Sequence, residues 1–342
     1  MSPSAMLPPT VDSNLSSPTP TGAISTGNTL KPPRWLFHVP PSSWTAEIQP
    51  QHERVTKEVD GFFLRNWPFP DERARKKFVA AGFSRVTCFY FPKALDDRIH
   101  FACRLLTLLF LIDDLLEHMS LAEGSAYNQR LIALSRGDVL PDRRIPVEWI
   151  TWELWEAMRA YDCPRATEIM EPVFVFMRAQ TDPKRLEKMD IGGYLEYREK
   201  DVGKALLAAL MRFSMALDVP PEELALARPV DRNVSKHLSI VNDIWSYEKE
   251  VLASETLHEE GGVLCTAVAI LADEAEIKPD AAKRVLYHLC REWELLHETL
   301  VEEVLRQRDT PALRAYLKGL EYQMSGNEMW SRTTLRYLAP QD

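Results

Sequence analysis

Glycine is scarce in this sequence, 13 of 342 residues, and no segment combines β-branched enrichment with period-2 alternation. Both absences argue against a sheet-based fold. Long apolar runs are missing too. Stretches such as Leu108 to Ile112 fall far short of the ~18–20 residues a bilayer span requires, so no membrane partner is expected. The first 30 residues contain no Lys or Arg, which argues against a secretory leader and an Arg-rich transit peptide. Cysteines number five, an odd and scattered set, which fits reduced thiols in the cytoplasm better than a disulfide framework. His100 with Cys103 and His288 with Cys290 come nearest to a zinc spacing, but no second pair completes either, and core roles are expected. Positive charge is in deficit. A formal net charge of −9 repels phosphate backbones, so nucleic acid is not an expected partner. An anionic small substrate would need a local pocket of cations or metal.

Proline is plentiful at the start. Residues 1–45 hold nine of the 24 prolines, with many Ser and Thr and almost no periodic apolar pattern. Such a segment cannot bury enough surface to offset the entropy of ordering, so 1–45 is expected to be a disordered tail. Residues 46–342 suffice for one large core or two modest ones. Their pattern is helical almost throughout, punctuated by prolines where helices start or stop. Helices are expected near 50–65, 71–88, 96–119, 147–161, 164–181, 191–216, 231–253, 261–275, 279–308 and 311–333. Pro220-Pro221-Glu222-Glu223 reads as a helix N-terminus, with proline early and acids in the first turn. The pair Asp96-Asp97 reads as a cap opening its helix. The fold class is all-α.

Two helices carry polar groups where burial disfavours them. Phe101 to Met119 is apolar nearly all round and belongs in the middle of a bundle, yet it ends on Asp113-Asp114-Leu115-Leu116-Glu117. Three carboxylates there share one side of the helix, repel one another, lose hydration and oppose the macrodipole. Those penalties point to a compensating cation, and carboxylate oxygens suit Mg²⁺. The plainer reading is a solvated helix end. The second constellation is Asn242-Asp243-Ile244-Trp245-Ser246-Tyr247-Glu248-Lys249-Glu250. At 100° per residue, Asn242, Ser246 and Glu250 form one stripe about 80° wide, with Lys249 beside it. An amide oxygen, a hydroxyl and a carboxylate over two turns make a tridentate oxygen site, and the Lys can bind an anion that a metal holds.

D-D-x-x-E followed by N-D-x-x-S-x-x-x-E resembles the metal-binding pair of class I terpene cyclases. The stretches from Phe91 to Thr107, Tyr194 to Lys204 and Gly319 to Glu328 further resemble the fungal aristolochene synthases, and the likeness runs from about residue 45 to the C-terminus. It implies a single-domain class I terpenoid synthase bundle over 46–342 with a central active-site cavity. The implied ligands are Asp113, Asn242, Ser246 and Glu250 for Mg²⁺, three ions with bound diphosphate. Asp114 and Glu117 are implied as supporting partners. Arg198, Lys249, Arg336 and Tyr337 are implied to grip the substrate's diphosphate, although Arg198, read alone, is a surface ion-pair partner. Tyr90, Phe110, Phe176 and Trp330 match that family's cation-stabilising contour, although each alone could be plain core packing. The implied reaction is cyclisation of farnesyl diphosphate through germacrene A to a bicyclic hydrocarbon, by a chain that forms homodimers or higher assemblies.

The asymmetry of the two motifs favours cyclisation over chain elongation, whose enzymes resemble this pattern but carry two Asp-rich motifs. No D-x-D-D motif of class II cyclases is present. Two positions depart from the family: Phe89 stands where an aliphatic residue is usual, and Trp245 where Tyr is usual. Neither removes a ligand. The rival readings are another sesquiterpene cyclase, giving germacrene A or a different bicycle, and a non-catalytic helical interaction protein. Complete metal motifs disfavour the latter.

Overall fold

The chain breaks where its prolines and glycines demand it, and every regular element among the described residues, 34–337, is a helix. In this computed structural model the α-helices are α1 (His52–Asn66), α2 (Glu72–Ala81), α3 (Phe83–Tyr90), α4 (Ile99–Leu116), α5 (Leu121–Arg136), α6 (Pro146–Tyr161) and α7 (Cys163–Ala179). They continue with α8 (Ile191–Asp201), α9 (Lys204–Met215), α10 (Pro221–Thr256), α11 (Ala267–Glu274), α12 (Pro279–Gln307) and α13 (Pro311–Thr333).

Five points differ from expectation. The helix over 71–88 is two, because Gly82 at φ 66° ends α2 in the left-handed conformation that only glycine adopts without strain. The helix over 191–216 likewise splits at Gly203, φ 70°. There a Cβ would also stand 3.2 Å from the Phe176 ring. Conversely, the N-terminus signalled at Pro220–Glu223 and the polar helix near 231–253 form one 36-residue helix, α10, which tolerates Pro229 inside it. Helix α5 was not anticipated. Its start is a capping box, Ser120 with Glu123. Asp96 and Asp97 do not cap α4: Asp96 accepts from Gln49 at 3.0 Å and Asp97 from the Tyr161 hydroxyl, and no side chain caps that helix.

The expected tail falls mostly on residues 1–33, which lie outside the described residues. Its remaining part, 34–45, is anchored to the helices at a few points, with Trp35 buried and His38, Pro40, Pro41, Ser43 and Thr45 exposed. Arg34–His38 forms a 3-10 turn. Trp35 is buried 5.5 Å from the Trp245 ring and 6.0 Å from Tyr287. Arg291 donates to the Pro40 carbonyl, and Ser42 to Glu294. Aromatic burial outweighs the proline-rich composition here.

Helix α4 buries twelve of its 18 residues, packed against α1, α3, α6 and α9. At about 1.5–3 kcal/mol per large apolar side chain, that burial outweighs the cost of ending the helix on carboxylates. Helix α10 is enclosed by α8, α9, α11, α12 and α13. These two inner helices carry the two polar constellations and flank one cavity.

Candidate active site

The cavity has a polar mouth and an apolar floor. Asp113 and Glu117 reach it from α4, Asn242, Ser246, Lys249 and Glu250 from α10, Arg198 from α8, and Arg336 and Tyr337 from the C-terminal 3-10 turn. Tyr90, Phe110, Phe176 and Trp330 line it with Leu106, Leu109, Leu207 and Leu238. Asp114 alone of the expected residues does not line it. It turns aside to hold Arg336, which donates through both Nη atoms at 2.6 and 3.1 Å.

The two motifs, 129 positions apart from Asp113 to Asn242, meet across this space. The Lys249 ammonium donates to Glu117 and lies 3.9 Å from Asp114, so α10 reaches the end of α4. Carboxylate oxygens of Asp113, Asp114 and Glu117 lie within 4.8 Å of one another. Burial and the neighbouring Glu117 raise the Asp113 carboxyl above the usual range, with Lys249 opposing. Its side chain keeps 43% of its surface, which borders the cavity. Asp114 shifts the other way: burial works to raise it, and the Arg336 guanidinium outweighs burial and holds it low.

On α10 the stripe is as spaced. Ser246 Oγ lies 2.6 Å from Glu250 Oε1 and 2.8 Å from the Asn242 carbonyl. Asn242 Oδ1 accepts from Arg198 at 2.7 Å, and its amide donates to the Tyr337 hydroxyl at 2.8 Å. Glu250 is raised by burial and by Asp243, against the pull of Ser246, Arg198 and Lys249. Arg198 is thus no surface partner. It is held between Asp201 and Asp243 beside the cavity.

The apolar floor is built from packed, hydrogen-bonded rings. Phe110 stacks on Phe83 at 4.5 Å and 10°, and lies 5.9 Å from Trp330. Trp330 turns its indole N–H away, to the Ala81 carbonyl at 3.0 Å. Tyr90 donates its hydroxyl proton to Asn327 Oδ1 at 2.8 Å, and Asn327 in turn donates to the Leu238 carbonyl.

Sequence reasoning missed the residues that brace this site. Gln180, at the end of α7, donates to Asp113 Oδ1 at 2.9 Å. Asp243 is fully buried and accepts from the Tyr194 hydroxyl at 2.5 Å and the Ala267 amide at 2.9 Å, tying α8 and α11 to α10. Its place one residue after Asn242, 100° round the helix from it and just past the Glu250 edge of the stripe, was the available signal. Gln180 and Asn327 gave none.

An all-helical bundle with oxygen-rich motifs on two inner helices around one cavity is the frame of an enzyme that could hold divalent cations against an anionic substrate. The sequence model described as "Terpene synthase family 2, C-terminal metal binding" matches residues 104–318. The chain belongs to the terpene synthase family. It is 64% identical to the aristolochene synthase of Aspergillus terreus over 319 residues, 93% of this chain and 98% of that one. It is 66% identical to the (+)-aristolochene synthase of Penicillium expansum, over 84% of this chain and 87% of the relative. Among solved structures, aristolochene synthase from Penicillium roqueforti superposes with a TM-score of 0.77 at 57% identity, covering 86% of this chain and 99% of that one. Hedycaryol synthase in complex with nerolidol, at 17% identity and a TM-score of 0.70, shares the fold. No helix of the described residues is long and apolar enough to cross a membrane.

Proposed function

We propose that this chain is a sesquiterpene cyclase that converts farnesyl diphosphate to aristolochene and diphosphate. The reading is supported by near full-length identity to aristolochene synthases and by one observation above all: the motif-bearing ends of α4 and α10 face each other across a cavity floored with aromatic rings. Germacrene A is the intermediate the reading takes from the family resemblance.

The donor set fits a hard divalent cation. Its atoms are all oxygens, and the Asp113, Asp114 and Glu117 carboxylates crowd within 4.8 Å. Asp113 on one side and Asn242, Ser246 and Glu250 on the other would hold Mg²⁺, in our reading three ions with the diphosphate. Bound there, the metal supplies positive charge that offsets what develops on the departing diphosphate. The chain's own cations complete that role. Arg198, Lys249 and Arg336 now hold carboxylates, and Tyr337 accepts from Asn242; all four line the mouth where phosphate oxygens would sit.

Below the mouth, Tyr90, Phe110, Phe176 and Trp330 enclose the prenyl chain and exclude water. Their π-faces stabilise the allylic cation, each by about 0.5–2 kcal/mol. Tyr90's hydroxyl proton is committed to Asn327 and Trp330's N–H to Ala81, so neither ring is a free proton donor. Among the described residues no carboxylate or imidazole lines the floor. The proton lost in forming germacrene A, and its return, are assigned to the retained diphosphate's oxygens. The reaction balances as one hydrocarbon, one diphosphate and the final proton. The chain acts in the cytoplasm as a homo-oligomer in this reading, the first from its unpaired thiols and the second from the family resemblance.

The test is one incubation with farnesyl diphosphate and Mg²⁺ followed by gas chromatography. Aristolochene as the principal product is expected. Germacrene A or another bicycle would move the chain to a different cyclase, and no release of diphosphate would refute the enzyme.

A further inference from the structure

Four cationic side chains line the cavity: Arg185, Arg198, Lys249 and Arg336. Three of them are ion-paired with carboxylates of the site, Arg198 with Asp201 and Asp243, Lys249 with Glu117, and Arg336 with Asp114. Arg185 is different. Among the described residues its only bond is from Nη1 to the Gln180 carbonyl at 2.6 Å and it has no carboxylate partner, while its Nε, like that of Arg198, is buried with no partner. It stands in the 3-10 turn Pro183–Leu186, just after α7, where the main cavity meets an outer groove lined by Glu187, Lys188 and Tyr247.

A buried guanidinium donor without an acceptor is costly, about 1–3 kcal/mol, and beside a cavity a ligand or an ordered water can satisfy it. Burial pulls the guanidinium down, and Asp201, with Tyr197, Cys265 and Asp113 after it, more than offsets that and raises it. With Nη1 occupied, Nε–H and Nη2 remain as the two-pronged edge that suits a phosphate. The same residue's Nη1 bond links it through Gln180 to Asp113, the first motif's leading carboxylate.

We propose that Arg185 is a further contact for the substrate's diphosphate, meeting it from the mouth of the cavity with the Nε–Nη2 edge. This rests on the reading of the cavity as a diphosphate site. The competing role is a staple for the C-terminal end of α7, since Gln180 is that helix's cap.

Binding of inorganic diphosphate with Mg²⁺, measured by calorimetry on the full chain, separates these. Arg185→Gln should weaken that binding by about tenfold or more. Arg185→Lys should recover part of it, and affinity for uncharged farnesol should not change. If Arg185→Gln binds diphosphate as the native chain does while Arg198→Gln binds it weakly, the proposal is wrong and the site reading stands. If diphosphate and farnesol affinities fall together with thermal stability, Arg185 is only a staple. If the native chain shows no Mg²⁺-dependent diphosphate binding, the site reading itself fails.

Discussion

Every ligand expected at the mouth is already engaged with a neighbour. Ser246 bonds Glu250, Asn242 bonds Arg198 and Tyr337, and Asp113 accepts from Gln180. Such bonds fix the rotamers in advance, so metal and diphosphate exchange one set of polar partners for another instead of ordering loose side chains. Glu250→Leu should therefore lower diphosphate release by at least about a hundredfold, with the helical circular dichroism unchanged; retained turnover would remove Glu250 from the site. Phe176→Ala should keep diphosphate release measurable and divert carbon to earlier or simpler hydrocarbons. An unaltered product profile would show that Phe176 does not shape the cation's path. A third residue reports on pH. Burial raises Asp60 from 3.8 to about 6, against the Ser84 hydroxyl that donates to it at 2.8 Å. Because the folded value is the higher, this group's stabilisation is complete below about pH 4 and lost as pH rises through 6. Asp60→Asn should gain up to about 3 kcal/mol relative to the native chain between those limits, read from denaturant midpoints at each pH.

Helices follow local chemistry closely here, and their joints do not. The starts of α6, α7, α12 and α13 were legible because proline sits in the first turn of each. Gly82 and Gly203 were not legible as breaks, since one glycine inside a helical pattern is usually tolerated and only packing shows where the chain must turn. Helix α5 escaped because Gly124, Ser125 and Asn128 dilute its apolar stripe, although Ser120 and Glu123 signalled its start. The break at Gly203 has a consequence. It seats Phe176 against bare backbone, where a methyl group would meet the ring at 3.2 Å. Gly203→Ala should cost about 1–3 kcal/mol, from the positive φ and the contact together, lowering the thermal midpoint by several degrees. It should also disturb the product profile as Phe176 substitutions do. A stable variant with native products would contradict that coupling.

For the molecule as a whole, the proposed ligands stood out in the sequence more than the residues that support them. Asn242, Ser246 and Glu250 declare themselves because polar groups four apart on a buried helix need a reason, and Asp113 because it ends an apolar one. The bracing partners come from elsewhere in the chain: Gln180 from α7, Tyr194 from α8, Ala267 from α11. No spacing within one segment encodes them. The same limit applies to Trp35, whose proline-rich surroundings suggested a tail, and which instead packs behind the second motif on Trp245. Charge behaves likewise. The chain is acidic overall, yet its cavity gathers four cations beside four carboxylates, Asp113, Glu117, Asp201 and Glu250. A balance of that kind belongs to the fold and not to composition.

One measurement addresses this arrangement without intermediaries: a crystal structure of the chain soaked with diphosphate and Mn²⁺, located by its anomalous scattering in place of Mg²⁺. Ions should appear against Asp113 and against Asn242, Ser246 and Glu250, with a single diphosphate touching both groups. Ions bound to only one helix, or a diphosphate seated outside the cavity, would contradict it.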